Sequence, residues 1–394
     1  MSALQQWTPT TLGELLIFTG GSQPPLSVFS KIEHEGYIRL IQIRDYKTDK
    51  YTTYIPKDLA RRFCDANDIM IGRYGPPIFQ ILRGLEGAYN VALIKVTPKG
   101  NILKDFAWHY LRNDRLFKHI DKLSRRTSGQ TGVDLNELEN YPIQLPPLAE
   151  QQKIAQALTD ADDYISALEK LIEKKKMIKE GLLSELFKKE SEWNAYAIED
   201  LVLPNNGLVR GPFGGALKKE DFVNEGYKVY EQKNAIYKNS ELGTYYINKN
   251  KYRKLIRFAV RSDDLILSCS GTIGKIYRIP SNFEKGVINQ ALLIIRINQT
   301  IIDLDYFEHY FNRQDFQTSI IDDTQGGAMK NLVGMPIFKK KIIYCPDMNK
   351  QKEISKILNN LDLDIDSIDK KLDKAKKLKQ GMMQKLLTGE IRLA

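Results

Sequence analysis

The sequence predicts an α+β protein with an internal pseudo-two-fold repeat, in which two mixed α/β units are joined by two long helices that form an intramolecular antiparallel coiled coil. Three observations predict this fold class: a repeated stretch, a heptad spacing of apolar residues in both copies, and short Ile-, Val- and Leu-rich runs between turn residues. The predicted segments are a globular unit at 1–145, a helix at 146–190, a second globular unit at 191–345 and a second helix at 346–394.

The repeat is clearest in residues 146–190 and 346–390, which align without a gap at an offset of 200 residues, so that Ile354 matches Ile154. Two lysine-rich helices could share a few residues by chance, but would not easily share a proline, a glutamine and a glycine. The chain is therefore expected to hold two copies of one plan, a globular unit followed by a long helix. Identical pairs include Pro146/Pro346, Gln151/Gln351, Ile165/Ile365, Lys179/Lys379 and Gly181/Gly381.

Both long stretches place apolar residues at alternating steps of four and three, which is a heptad seam. Prolines stand where each helix is expected to begin. Each narrow seam needs one partner, and the other copy supplies it; an antiparallel pairing leaves room for a globular unit between the helices. The alternative is that each helix packs on its own globular unit. The seam residues are Ile154, Leu158, Ala161, Ile165, Leu168 and Ile172, and then Ile354, Leu358, Leu361, Ile365, Ile368 and Leu372.

The globular units are expected to mix strands and helices. Two aromatic-rich stretches, 106–120 and 306–321, are typical of amphipathic helices. The stretch 65–75 parallels 261–271, with an aspartate seven residues before a glycine in each. The predicted strands are 37–43, 68–72, 91–96, 264–268 and 291–297.

Lys and Arg outnumber Asp and Glu by 59 to 49, which gives a net charge of +10. This charge fits either a basic soluble protein or a surface that binds a polyanion. The cysteines Cys64, Cys269 and Cys345 are odd in number and far apart, which favours a reducing compartment and argues against disulfides or structural zinc. With no apparent signal peptide or membrane span, we expect a cytoplasmic protein.

A polar loop, Ser268–Lys275, follows a predicted strand, and its glycines would let the backbone approach a phosphate closely. It is not a nucleotide-binding P-loop, because Cys269 stands at the first glycine of that motif and Ile276 follows the lysine. Its counterpart in the first half is Gly72–Pro77. An ordinary glycine turn is the alternative, but the matched position in both halves argues against it.

Other polar loops also occur at matched places, at 125–130 and 324–331, and a further one begins at Arg210 and is followed by two lysines. Arg, Lys, Asn and Gln are the side chains that read base edges, although a solvated turn is the commoner explanation of any single loop. The candidate DNA-contacting residues are Arg73, Tyr74, Gln80, Arg126, Gln130, Arg210, Lys218, Lys219, Ser270, Thr272, Lys275, Gln325, Lys330 and Asn331.

Motifs for catalysis are missing from the sequence. No Pro-Pro pair lies in the [DNS]PP[YF] context of a DNA adenine methyltransferase, and we find no GxGxxG, Walker A, GxSxG or convincing nuclease pattern. We therefore expect no catalytic residue, no metal and no cofactor in this chain.

Over essentially its whole length the chain resembles the specificity subunit of a type I restriction-modification enzyme. The motifs that carry the resemblance are PPLAEQQKIAQAL with KEGLLSELF, KQKEISKIL with KQGMMQKLLTGEIRL, and the stretches GPFGGALKKEDF and DDLILSCSGTIGK. Two departures are Asn349-Lys350-Gln351, where the first copy has Ala149-Glu150-Gln151, and GRYGPPIFQ in place of a Ser-x-Ser-Gly-Thr loop. The second departure suggests that the two halves read different sequences.

The resemblance implies that 1–145 and 191–345 are target recognition domains, and that the helices are a central and a distal spacer. Each domain would read one half of a split, asymmetric site in double-stranded DNA. Two methyltransferase subunits with S-adenosylmethionine would methylate a flipped adenine, and restriction subunits with ATP and Mg would cleave. Two other classes stay open: a stand-alone enzyme, and a DNA-binding protein that dimerises through its coiled coil. The internal duplication argues against the latter.

Overall fold

The computed structural model describes residues 6–124, 132–213, 215–322 and 331–393. The chain forms two compact units: Met1–Lys170 with Asp369–Ala394, called the first unit here, and Leu171–Ile368, the second unit. Each unit therefore takes one part of each long helix. The sequence predicts four consecutive segments, and the limits of these segments as domains stay a prediction.

The first part of the chain folds into short strands and helices and then enters a long helix. The strands are β1 Thr8–Thr11, β2 Leu16–Gly20, β3 Tyr37–Ile41, β4 Tyr54–Pro56, β5 Phe63–Cys64, β6 Ile69–Gly72, β7 Gln80–Leu82, β8 Gly87–Tyr89, β9 Leu93–Pro98 and β10 Pro142–Leu145. The helices are α1 Leu12–Leu15, α2 Lys104–Leu111, α3 Asp114–Ser124, α4 Leu135–Glu139 and α5 Leu148–Leu186. Short 3₁₀ turns lie at Leu26–Val28, Ile43–Tyr46, Asp49–Tyr51 and Lys57–Leu59.

The second part of the chain repeats this order. Its strands are β11 Asn194–Ala197, β12 Leu208–Arg210, β13 Phe222–Val223, β14 Tyr227–Tyr230, β15 Tyr246–Ile247, β16 Leu265–Ser268, β17 Ile276–Arg278, β18 Gly286–Ile288, β19 Leu292–Ile295, β20 Ile321–Asp322, β21 Asn331–Leu332 and β22 Ile342–Cys345. The helices are α6 Ile198–Leu201, α7 Gln232–Ile236, α8 Lys249–Lys254, α9 Leu304–Phe311, α10 Gln314–Ser319, α11 Met335–Lys339 and α12 Met348–Leu386. Two 3₁₀ turns lie at Lys219–Asp221 and Ile256–Phe258.

The main sheet of each unit is four-stranded and antiparallel. Its strand order is β2-β9-β6-β7 in the first unit and β12-β19-β16-β17 in the second. A smaller sheet has the order β4-β3-β8-β5 in the first unit and β13-β15-β14-β18 in the second. The strands β4-β3-β8 correspond to β15-β14-β18, but the fourth strand pairs with β8 in the first unit and with β15 in the second. The β3–β8 and β14–β18 pairs are parallel. The predicted fold class, with its internal repeat, is confirmed.

One face of each main sheet packs against the helices, because alternate residues of a strand point to the same side. In the first unit this core joins strand residues to α2, α3 and the start of α5. In the second unit it joins them to α9, α10 and the start of α12. The buried residues include Ile71, Ile94, Phe106, Leu111, Leu116, Ile154 and Leu158, and then Leu267, Leu293, Phe307, Phe311, Phe316, Ile354 and Leu358.

The two predicted amphipathic helices are each broken into a pair, so the prediction of single helices at 106–120 and 306–321 is wrong. In the first unit α2 ends before Asn113, whose side-chain oxygen accepts the N–H of Arg115 at 2.8 Å and starts α3. In the second unit the break lies at Asn312–Arg313, and the Arg313 guanidinium donates to the Phe187 carbonyl at 3.2 Å. At Asn113 local capping competes with continuation of the helix, whereas at Arg313 the competing contact comes from a residue distant in sequence.

The long helices run antiparallel within each unit, as predicted. In the first unit Lys379 pairs with Asp162, and Lys376 pairs with Glu169 at 2.7 Å. In the second unit Lys175 pairs with Asp364 at 3.1 Å and Lys179 with Asp362 at 2.5 Å. Residue numbers rise on one helix as they fall on the other. The alternative, in which each long helix packs on its own globular unit, also holds for the N-terminal turns of α5 and α12. Those turns pack into the core of the first and the second unit, respectively.

A buried glutamine fastens each long helix to a loop of its unit, the loop before α2 in the first unit and the loop before α9 in the second. Gln151 accepts the N–H of Leu103 at 2.8 Å and donates to the carbonyls of Asn101 and Pro146, both at 2.8 Å. Gln351 accepts the N–H of Asp303 at 2.7 Å in the second unit. The glutamine pair that the repeat revealed therefore satisfies buried backbone groups.

A buried histidine adds a second link at each site. His109 lies 3.0 Å from the hydroxyl of Thr159, and His309 lies 2.7 Å from the side-chain oxygen of Asn359. Burial lowers the pKa of His109 to about 4, so the ring is neutral near pH 7. The histidines thus hold helices together as neutral hydrogen-bonding groups.

Candidate nucleic-acid interface

In the second unit, the loop between β16 and β17 closes on Ser268. The backbone N–H of Ser268 donates to the Lys275 carbonyl at 2.9 Å, and the N–H of Lys275 donates to the Ser268 hydroxyl at 3.0 Å. Gly271 and Gly274 adopt φ values of +68° and +80°, a conformation that favours glycine. The two glycines therefore form a tight turn that leaves Thr272 and Lys275 exposed.

Three loops that are distant in sequence meet at this end of the sheet. Asn331 pairs with Ser270, and the N–H of Leu332 donates to the Cys269 carbonyl at 3.2 Å. Arg210 ends β12 on the other side of β19 and lies beside the Cys269 thiol. Burial raises the pKa of that thiol to about 12, and the nearby guanidinium opposes the rise. We call residues 210–213, 269–275 and 331–332 the second loop edge.

The first unit has the same edge, formed by residues 20–22, 73–80 and 132–133, which we call the first loop edge. Tyr74 pairs with Gly132, and the N–H of Val133 donates to the Arg73 carbonyl at 3.0 Å. The Gln80 side chain donates to the Pro77 carbonyl at 2.9 Å, which keeps it against its own loop. The structure therefore places the 72–77 stretch where the sequence comparison of the two halves puts it.

Two glycines at these edges were not among the predicted residues. A Cβ atom on Gly21 would lie 1.9 Å from the Asn90 carbonyl oxygen, and one on Gly211 would lie 1.9 Å from that of Asn289. Each asparagine side chain in turn accepts the backbone N–H two residues later, at 3.1 Å. Only glycine fits this close approach. The sequence signal that could have identified these two glycines is a glycine directly after a run of strand-forming residues in both halves.

Of the remaining candidate DNA-contacting residues, two lie on the surface of the second unit and four lie outside the described residues. Lys218 and Lys219 are exposed, and the N–H of Lys218 donates to the Asp221 carboxylate at 2.8 Å. Four candidates, together with Gly214 of the Arg210 loop, lie outside the described residues; these four are Arg126, Gln130, Gln325 and Lys330.

The cations at the loop edges lack the partners that most buried cations have. Arg296 and Lys228, which are buried, are both held by carboxylates, at 2.9 and 3.0 Å. Within the parts of the chain that the structure describes, no carboxylate lies within 4 Å of Arg73, Arg210 or Lys275. Unpaired cations beside exposed polar side chains and backbone N–H groups suit phosphate and base edges. In the same described ranges, no cluster of His, Cys, Asp or Glu could hold a metal ion.

Each half of the duplicated α+β scaffold carries a polar, cationic loop edge, which is typical of a nucleic-acid-binding protein. The family model for the type I restriction modification DNA specificity domain matches residues 5–180 and again 190–377. The chain belongs to this family, and it is a DNA-recognition subunit of the type I restriction-modification kind. The resemblance inferred from the sequence is confirmed.

Named relatives agree with this assignment. The chain is 25% identical to the type I restriction enzyme MjaVIII specificity subunit of Methanocaldococcus jannaschii, over 99% of this chain and 94% of that protein. It is 21% identical to the EcoBI specificity subunit of Escherichia coli, over 99% and 87%.

Solved structures share the fold. A chain from a study of complex assembly and conformational transition in the type I R-M system has a TM-score of 0.62 at 14% identity, covering 99% of this chain and 100% of that one. The type I S subunit from M. genitalium has a TM-score of 0.61 at 15% identity, covering 98% and 97%. None of the helices that the structure describes is long and apolar enough to cross a membrane.

Proposed function

We propose that this chain reads a split, asymmetric site in double-stranded DNA, with one half-site for each unit. The observation that carries the proposal is the repetition of the loop edge, which is built from the same strands in both units. Each edge offers glycine-rich backbone and unpaired cations at the end of a rigid sheet, which suits contact with a groove.

The two edges differ in chemistry, which supports two unlike half-sites. The first presents the ring of Tyr74 and two prolines in its β-hairpin loop, whereas the second presents Ser270, Thr272 and Lys275. A bulky, mostly apolar loop and a small hydroxyl-rich loop select different base edges. A site composed of unlike halves is asymmetric.

The chemistry would belong to partner subunits. We propose that two methyltransferase subunits dock on this chain and methylate adenine with S-adenosylmethionine, and that restriction subunits add ATP- and Mg-dependent cleavage. The chain itself would carry no catalytic residue and no cofactor, and it would work in the cytoplasm with the chromosome. Its relatives' names, all specificity subunits, support this division of labour.

Methylation mapping of host DNA, with the gene intact and with it deleted, tests the proposal. We expect N6-methyladenine at one two-part motif to disappear on deletion and to return when the gene is restored. Methylation that is unchanged on deletion would contradict the proposed role. Methyl transfer by the purified chain alone would instead favour a stand-alone enzyme.

Two matched glycines support docking of a partner on the long helices. Gly181 and Gly381 lie inside α5 and α12, and a Cβ atom at either would meet no other atom within 4 Å. Glycine inside a helix costs about 1 kcal/mol relative to alanine. Since nothing in the described chain crowds either position, a closely packed partner helix would explain why both are glycine.

Replacing both glycines separates stability from docking. We expect Gly181→Ala with Gly381→Ala to raise the free energy of unfolding by about 1–2 kcal/mol. Co-purification of the methyltransferase subunit should fall, and fall further when leucine replaces alanine at both positions. Unchanged co-purification with the leucine variant would place the docking surface elsewhere.

A further inference from the structure

Each loop edge holds one arginine, but the two arginines lie on strands that do not correspond to each other in the two main sheets. The registers of the main sheets establish this. The N–H of Arg73 donates to the carbonyl of Ala92 at 2.8 Å, and the N–H of Cys269 donates to that of Ala291 at 2.9 Å. In the sheet, Arg73 of the first unit therefore matches Cys269 of the second.

On the other side of the central strand, β9 or β19, it is the second unit that has the arginine. Gly20 ends β2 opposite Ile94, and Arg210 ends β12 opposite Leu293. The next residue of each strand is the glycine that approaches an asparagine carbonyl. Gly20 of the first unit therefore matches Arg210 of the second. One unit has arginine and glycine at the two positions, and the other has cysteine and arginine.

The two side chains reach similar surroundings. Arg210 extends to the Cys269 thiol, which is the position that Arg73 occupies in the first unit. The Arg73 guanidinium carbon lies 5.4 Å from the centroid of the Tyr74 ring, and that of Arg210 lies 5.7 Å from the Phe213 ring. Both rings belong to the loop edges and are exposed, by 37% and 64%.

Each guanidinium also has an unused hydrogen-bond donor. Among the residues that the structure describes, Arg73 Nε and Arg210 Nη1 are shielded from solvent and have no hydrogen-bond partner, and neither side chain forms an ion pair. A buried cationic donor without a partner is costly. Both units retain this cost, through arginines on strands that do not correspond, which indicates a shared task rather than a shared ancestor residue.

We propose that Arg73 and Arg210 are equivalent specificity determinants, each of which reads one guanine in the half-site of its unit. This inference rests on the proposed function. A guanidinium that lies over an aromatic ring presents a planar fork of donors, and that fork matches the O6 and N7 acceptors of guanine in the major groove. Phosphate contact needs only a mobile charge, such as the exposed Lys275, and does not need this fixed geometry.

The different positions of the arginine in the two units allow a direct test, because in the first unit the arginine can be moved from position 73 to position 20. A Cβ atom on Gly20 meets nothing within 4 Å, and its φ is not positive, so the backbone there accepts a side chain in Gly20→Arg. The variant R73C with G20R gives the first unit the arrangement of the second. We expect R73A to lose the guanine preference and R73C/G20R to recover it.

The experiment selects duplexes from a randomised pool with the full chain, co-purified with its methyltransferase subunits, and sequences the bound fraction. Wild type should give a two-part motif with a guanine in each half. R73A should lower discrimination at one guanine roughly 5- to 150-fold and leave the other half-site unchanged. R210A should do the reverse, so each variant's untouched half-site reports that the chain is folded.

The outcomes are distinct. Weaker binding with unchanged base preferences at every position would assign the arginines to phosphates and overturn the inference. Failure of R73C/G20R to recover the guanine preference would overturn their equivalence. A wild-type chain that selects no two-part motif would overturn the proposed function, and the inference with it.

Discussion

Replacing Asp264 with asparagine should lower the free energy of unfolding of the second unit by about 3–5 kcal/mol. The Arg296 guanidinium donates to both carboxylate oxygens of Asp264 at 2.9 Å, and the two side chains are only 5% and 4% exposed. Asparagine keeps the shape but removes the charge, so a buried cation is left uncompensated. Urea unfolding followed by circular dichroism measures the loss.

The neighbouring aspartate is a matched control. Asp263 pairs with Arg278 at 2.9 Å, but the two side chains are 53% and 36% exposed. Asparagine tolerates the φ of +63° found there, so Asp263→Asn removes only a solvated ion pair. We expect it to cost at most about 1 kcal/mol. Equal losses from both variants would show that burial of the Asp264 pair contributes nothing special.

The Asp264 pair also affects the second loop edge. Arg296 follows β19 directly and donates further to the carbonyls of Ala259 at 2.7 Å and Asn206 at 3.0 Å. It therefore ties three segments to the central strand. Because β19 lies between β12 and β16, which lead into the loop edge, loosening this anchor should also weaken DNA binding.

Replacing Gln151 with methionine should destabilise the first unit by about 3 kcal/mol or more. Methionine has a similar length and volume, but it cannot bond the Leu103 N–H or the carbonyls of Asn101 and Pro146. Gln151 is 0% exposed, so water cannot replace the lost partners. Each unsatisfied buried group costs about 1–3 kcal/mol, and the costs are not strictly additive.

Two variants frame this result. Gln152→Met changes an exposed position on the same helix and should alter the free energy of unfolding by no more than about 0.5 kcal/mol. Gln351→Met, the counterpart in the second unit, should reproduce the large loss, since Gln351 is 2% exposed and bonds the Asp303 N–H. A small change in the free energy of unfolding in both Gln151→Met and Gln351→Met would mean that the glutamine hydrogen bonds do not stabilise the units.

Much of the architecture was accessible from the sequence. The ungapped repeat and the heptad spacing identified two long helices. As expected from the prolines, α5 begins directly after Pro146–Pro147, and α12 begins after Pro346–Asp347. Strand positions were close because the buried strands are short runs of branched apolar residues. Several candidate residues, such as Ser270 and Asn331, do meet in space, although their DNA contacts stay a prediction.

The sequence by itself determined the periodic features: the repeat, the helix seams, the strand runs and the family. The tertiary structure alone decided which residues are neighbours. The first compact unit is discontinuous in sequence, because each long helix packs its beginning and its end in different cores. The equivalence of Arg73 and Arg210 arises in the same way. Alignment along the chain cannot reveal it, since hydrogen-bond register between strands, and not chain order, places the two guanidinium groups alike.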